Sequence, residues 1–112
     1  MELSFGTRKL QKLCSSKQES DRKWGQNARE VRQRLAELQA AETLFDMTKL
    51  PAARLHALRG DRTGQFAVDV KHPFRLILVP DHNPVPKTED GGIDLRKVEK
   101  IRVIEVTDYH GE

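Results

Sequence analysis

Leu55-His56-Ala57-Leu58-Arg59-Gly60-Asp61-Arg62-Thr63-Gly64-Gln65-Phe66-Ala67-Val68-Asp69-Val70-Lys71-His72-Pro73-Phe74-Arg75-Leu76-Ile77-Leu78-Val79 is the stretch whose reading decides the fold. Phe66, Val68 and Val70 alternate with Gln65, Ala67, Asp69 and Lys71, the two-residue period of a strand with one buried face. Gly60–Gly64 is a short turn bounded by glycines. Turns of this length join antiparallel neighbours, so Leu55–Arg59 is read as a strand that returns as Gln65–Val70. His72-Pro73 then interrupts the ladder, because proline has no N–H to donate. Phe74–Val79 is a near-continuous apolar run, the pattern of a central strand covered on both faces.

The rest of the chain covers and extends this sheet. Met1–Phe5 opens as a short strand with Leu3 and Phe5 on one side. Thr7 is placed to cap a helix whose Leu10, Leu13 and Cys14 share a face. The polar run Ser15–Ser20 reads as a frayed end or connection, with helix able to continue through it, and Trp24 before Gly25 as a core anchor at a turn. Asn27 and Glu30 have the spacing of a capping box. Ala28, Val31, Leu35, Leu38 and Ala41 then recur at three- and four-residue steps, with Arg29, Glu30, Arg32, Gln33, Arg34 and Glu37 opposite. Leu44, Phe45, Met47 and Leu50 form a third helical piece ended by Pro51.

Beyond the sheet stretch, Pro80, Pro84, Pro86 and Gly91-Gly92 exclude regular structure from Pro80–Asp90, and a loop this long is uncommon between strands. Asp94 is placed to cap one helical turn, with Ile93 and Val98 as a staple. Lys100–Thr107 is a β-branched closing strand that carries Asp108-Tyr109-His110 at its end. One strand, two to three helices, then several strands describe an α+β domain spanning residues 1–112, with the helices on one face of a largely antiparallel sheet and an insertion over 80–99.

A chain of 112 residues, 37% hydrophobic, is long enough for one core without disulfides. Cys14 is the single cysteine, which excludes an internal disulfide and any multi-cysteine metal site and reads as a small buried hydrophobe. No apolar run has the length of a membrane span or a signal peptide, so the expected location is cytoplasmic. The net charge of +3 is unevenly spread: residues 1–75 carry +6 and residues 76–112 carry −3. A basic body favours a polyanion or an acidic protein as partner.

Three motifs in order carry a family resemblance. Leu55–Phe66, with its Leu-His-Ala-Leu-Arg-Gly-Asp-Arg-Thr-Gly run, the Phe74-Arg75-Leu76 strand start and the terminal Asp108-Tyr109-His110 together resemble the HigB branch of RelE/ParE-type toxins. The helical half matches by layout only. The resemblance implies the RelE-like fold and the toxin of a toxin–antitoxin pair, a ribosome-dependent endonuclease acting on mRNA. It further implies a helix-turn-helix, HigA-like antitoxin partner and no small-molecule cofactor. Two departures stand out: Arg59 occupies a position where the family commonly has lysine, and Pro80–Gly92 replaces a short turn.

Metal-free RNA cleavage needs a base for the ribose 2′-OH, cations for the phosphorane and an acid for the leaving oxygen. His110 is the strongest proton-transfer candidate, since imidazole titrates near neutrality. Arg59 stays protonated and serves as a phosphate clamp, as does Arg75. Tyr109 can stack on a base, Asp108 can orient His110 or an arginine, and His56 is a second acid/base candidate. Arg54, Arg62, Lys71 and Arg32 are candidate RNA contacts. Plainer readings accompany these: Arg75 as a structural partner of Asp69 or Asp108, His56 as a satisfied core histidine, Asp61 and Arg62 as turn builders, Arg32 as a solvated helix position. The four histidines show no metal-ligand spacing, and Gly60–Gly64 lacks the lysine of a phosphate-binding loop. Two other readings keep the fold and drop the chemistry: a ParE-like inhibitor of DNA gyrase, or an inactive binding module.

Overall fold

The apolar run from Phe74 takes the middle of the sheet because it has side chains to bury on both faces, Leu76 and Leu78 on one and Ile77 on the other, all fully buried. The structure, a computed structural model, describes residues 1–108. Its elements are β1 (Glu2–Phe5), α1 (Arg8–Ser15), α2 (Lys17–Trp24), α3 (Ala28–Ala40), β2 (His56–Ala57), β3 (Phe66–Asp69), β4 (Phe74–Pro80) and β5 (Lys100–Asp108). Short 3-10 turns lie at Gly25–Asn27, Leu44–Lys49, Pro51–Ala53, Gly60–Arg62 and Leu95–Lys97. The sheet order is β1-β5-β4-β3-β2, antiparallel except for the parallel pair of β1 and β5. This is an α+β domain with three α-helices against one mixed, largely antiparallel sheet. No helix among the described residues is long and apolar enough to cross a membrane.

The expected periodicities hold in the packing. Ala28, Val31, Leu35 and Leu38 of α3 are buried against Phe66, Val68, Leu76, Leu78, Ile101 and Val103 of the sheet. Thr7 caps α1, its hydroxyl accepting from the Leu10 N–H at 3.1 Å. Ser16 does the same for α2, so the polar run contains a second helix start rather than a frayed end. Trp24 and Cys14 both sit in the core. The Met1 ammonium donates to the carbonyls of Leu38, Gln39 and Ala41, placing a positive charge at the C-terminal end of α3, where the helix dipole favours one.

Four local expectations are corrected. Asn27 makes no side-chain cap, because the Gly25–Asn27 turn runs straight into α3 and leaves Asn27 with helical backbone angles. A capping box is present at the start of the Leu44–Lys49 turn, where Asp46 accepts from the Glu42 and Thr43 N–H groups and its carboxyl is held below the usual carboxylate range chiefly by the first of these. The strand read over Leu55–Arg59 shrinks to His56–Ala57, since a 3-10 turn and a left-handed Arg54 precede it and another 3-10 turn follows. Pro80 closes β4 opposite Ile101 instead of opening the insertion. Within the insertion, Lys87 and Ile93 form a single antiparallel bridge closed by the Thr88 N–H donating to the Gly92 carbonyl at 2.8 Å. Asp94 caps Leu95–Lys97 as expected, accepting from the Arg96 N–H. That turn is tied back to the helical layer by Arg96, whose guanidinium lies 4.0 Å over the Phe45 ring.

Two outcomes test this packing. Leu38→Ala leaves a cavity at a fully buried position and should cost about 2–5 kcal/mol in denaturant unfolding. Leu50→Ala, at the exposed large hydrophobic, should fall within about 0.5 kcal/mol of wild type. Burial pushes the Cys14 thiol from 9.0 up to about 11, so the folded chain holds a proton that the unfolded chain releases first. The stability this contributes is complete below pH 9 and is lost as pH climbs toward 11. Thermal melts of wild type and Cys14→Ala across that range should therefore converge at the alkaline end.

Candidate functional site

The helices cover one face of the sheet, and the candidate site is built on the other. Strand register places His56, Ala67, Ile77 and Glu105 in one row across β2, β3, β4 and β5, and Asp69, Arg75 and Thr107 in the next. Ala67 and Ile77 are fully buried even on this outward face, which fits long charged side chains lying across an apolar floor. A bulge at Ile77/Leu78 shifts the pairing from Glu105 to Val103, so one residue of β5 is skipped and Glu105 joins the outward face while Val106 returns to the core side.

Arginines flank the two rows. Arg54 is the one non-glycine residue at positive φ (44°) among the described residues. From there it grips the Asp69 carboxylate with two donors, Nε to Oδ2 at 2.7 Å and Nη2 to Oδ1 at 3.2 Å. A sparsely populated backbone angle persists where surroundings over-determine it, and the two-point clamp does so here. The backbone of Asp69 is held from the helix side, where its carbonyl accepts from Arg34 Nε at 2.8 Å. Arg62 donates to Gln65 Oε1 and, across to β5, to Glu105 Oε1, both at 2.8 Å.

The histidine on this face is not in the core. His56 is half-buried, with Nδ1 2.8 Å from the Arg54 carbonyl. An Nδ1–H donating there leaves Nε2 as the acceptor of the neutral ring, the arrangement a proton-transfer group needs. Arg59 is exposed on the turn after β2 and makes no ion pair or side-chain hydrogen bond among the described residues. Arg75 stands at the centre of the second row, opposite Thr107 on one side and Asp69 on the other. Asp108 ends β5, exposed and opposite Phe74. Tyr109 and His110 lie outside the described residues.

The outward face and its rim thus bring together Arg54, His56, Arg62 and Arg75, with Arg59 on the adjoining turn. They do not include two of the expected RNA contacts. Arg32 is drawn into the seam between α2 and α3, donating to the Ser20 hydroxyl and to Asp21 Oδ1 at 3.0 Å. It therefore lies on the helix side of the sheet. Lys71 lies on the turn after β3 beside Glu30, Gln33 and Arg34, again toward the helices. Sequence reasoning missed Glu105 and the clamping role of Asp69. The doublet Val103-Ile104 inside an otherwise alternating run was the available sign of the bulge that turns Glu105 outward.

Chemically, the face offers several guanidiniums and one imidazole around a dry floor, a set suited to a phosphodiester. Among the described residues no three His, Cys, Asp or Glu side chains cluster to hold a metal ion. The sequence matches no family model and none of the curated proteins.

Proposed function

We propose that this chain is an endoribonuclease of the toxin–antitoxin type, cutting mRNA in the cytoplasm while the ribosome presents the strand. The observation that carries the reading is the pairing of β5 along β4. It sets Asp108 opposite Phe74, the register position beside the Arg75–Thr107 pair, so the first residue of the Asp108-Tyr109-His110 motif stands at the end of β5 next to the row that carries Arg75. The resemblance to HigB-type toxins rests on the same three motifs, and the pairing is what an active site shared between them requires.

In this reading Arg59 and Arg75 hold the scissile phosphate and stabilise the charge that grows on it, since a guanidinium stays protonated through the reaction. His110 transfers the proton, with Asp108 orienting it, and Tyr109 stacks on a base beside the cut. His56, with Nε2 available, is the alternative proton carrier. A small domain has little surface for gripping flexible RNA, and a ribosome that holds the strand supplies the orientation. A helix-turn-helix antitoxin would act by covering the same basic face.

One observation favours a second reading, a binder without chemistry: Arg54 and Arg62 are already paired with Asp69 and Glu105. A translating extract separates the two. Purified protein should cleave mRNA, His110→Ala should slow cleavage by about 10²–10⁴-fold, and Arg59→Ala by about 10²–10³-fold. Intact message beside folded wild-type protein would overturn the nuclease reading, and gyrase-dependent DNA breaks in the same preparation would replace it.

A further inference from the structure

We propose that Glu105 is a positioning residue of this site, holding Arg62 as a strut between the Gly60–Gly64 turn and the strand that leads to His110. The inference rests on the nuclease reading for its consequence and on geometry alone for its existence. Arg62 belongs to the turn that joins β2 and β3, and Glu105 belongs to β5, two strands beyond β3. Two interstrand spacings amount to about 10 Å, a span that needs the long arginine side chain and the glutamate together. The contact is made at 2.8 Å by Nη2, while Nη1 is held by Gln65 just before β3. The guanidinium is therefore fixed at two points with its plane set.

The turn itself is tightly organised around Arg62. Its N–H donates to the Arg59 carbonyl at 3.2 Å and its carbonyl accepts from the Gln65 N–H at 2.9 Å. Thr63 closes the same loop by donating from both N–H and hydroxyl to the Gly60 carbonyl. Gly60 and Gly64 bound it at φ of 63° and 92°, angles that other residues adopt only with strain. A turn this rigid moves as one piece, so fixing Arg62 fixes the backbone of Arg59. The bulge in β5 is what turns Glu105 to the outward face where Arg62 can meet it. Arg62 thereby acts through position, and Arg59 is the cation of this turn that joins Arg75 at the phosphate.

The strut predicts coupling that a merely stabilising ion pair does not. Glu105→Gln keeps the shape and removes the charge, and Arg62→Gln breaks the pair from the other end. Each should lower mRNA cleavage in the translating extract by about tenfold, because a displaced clamp loses its alignment. In an Arg59→Ala background the same changes should have almost no further effect, since the group they position is gone. Full additivity with Arg59→Ala would overturn the proposal. Should the wild-type chain cleave nothing, the nuclease reading falls by itself, and the strut is judged by hydrogen exchange. Glu105→Gln should then speed exchange at the Arg62, Thr63 and Gln65 amides by about tenfold over those of β4. Unchanged exchange at those amides would overturn it.

Discussion

The pairing of β4 with both of its neighbours is the constraint on which everything else depends. Phe74–Pro80 bonds to β3 along one edge and to β5 along the other, and its side chains serve two layers at once. Leu76 and Leu78 meet the helices, while Ile77 floors the outward face. Each fully buried aliphatic side chain here contributes about 1.5–3 kcal/mol of transfer free energy, so the strand is held against any slip in register. A slip by one residue would exchange its faces, sending Arg75 into the helical core and Ile77's neighbours to water. The same register lines up Asp69, Arg75 and Thr107. The stability of the core and the geometry of the candidate site are therefore one decision, taken at β4.

The charges on the outward face are arranged in pairs rather than as an open cationic patch. Arg54 with Asp69 and Arg62 with Glu105 are close, yet the partners are between roughly a third and a half exposed. Pairs in such surroundings contribute about 0–1 kcal/mol, too little to explain them as struts of the fold as a whole. Their effect is on direction: a bidentate or doubly held guanidinium has lost most of its rotamer freedom before any ligand arrives. Arg54 and Arg62 are thus engaged with carboxylates, whereas Arg59 has no acidic partner among the described residues.

Fold and site were legible in the sequence to different depths. The period-two run Phe66–Val70, the apolar run from Phe74 and the spaced apolar face of α3 each encode burial directly, and each appears where it reads. Edges were less legible. β2 is two residues long because an edge strand has a partner on one side only, and residue types alone do not say how far a one-sided ladder extends. The cap expected of Asn27 on α3 does not form, since residue types fit a cap but the backbone angles of the preceding turn, which leave Asn27 helical, decide against it. Within the site, the arginines were visible as cations but their partners were not. Asp69 and Glu105 belong to Arg54 and Arg62 through strand register, a property of pairing and not of spacing along the chain. Arg32 looked available on a polar helix face, and only the packing of α2 against α3 shows that its charge is spent on Asp21.

The segment after β4 shows why loop length is a poor guide to freedom. His82 Nε2 accepts from the N–H groups of Glu99 and Lys100 at 3.0 and 3.3 Å, and the Asp81 N–H donates to the Lys100 carbonyl at 2.8 Å. The beginning of the insertion is thereby fastened to the beginning of β5. Its middle is closed by the Lys87–Ile93 bridge, and its end enters the core through Ile93 and Val98 and is covered by Arg96 on Phe45. Backbone groups that would otherwise need water are satisfied along the way, as a long connection in a small domain requires. The anchors gather at the start of β5, whereas Asp108 lies at its far end. A change in the insertion therefore acts on the N-terminal end of β5 and also on the Gly60–Gly64 turn, since Lys87, Gly92 and Ile93 line a cleft with Leu58, Thr63 and Gly64.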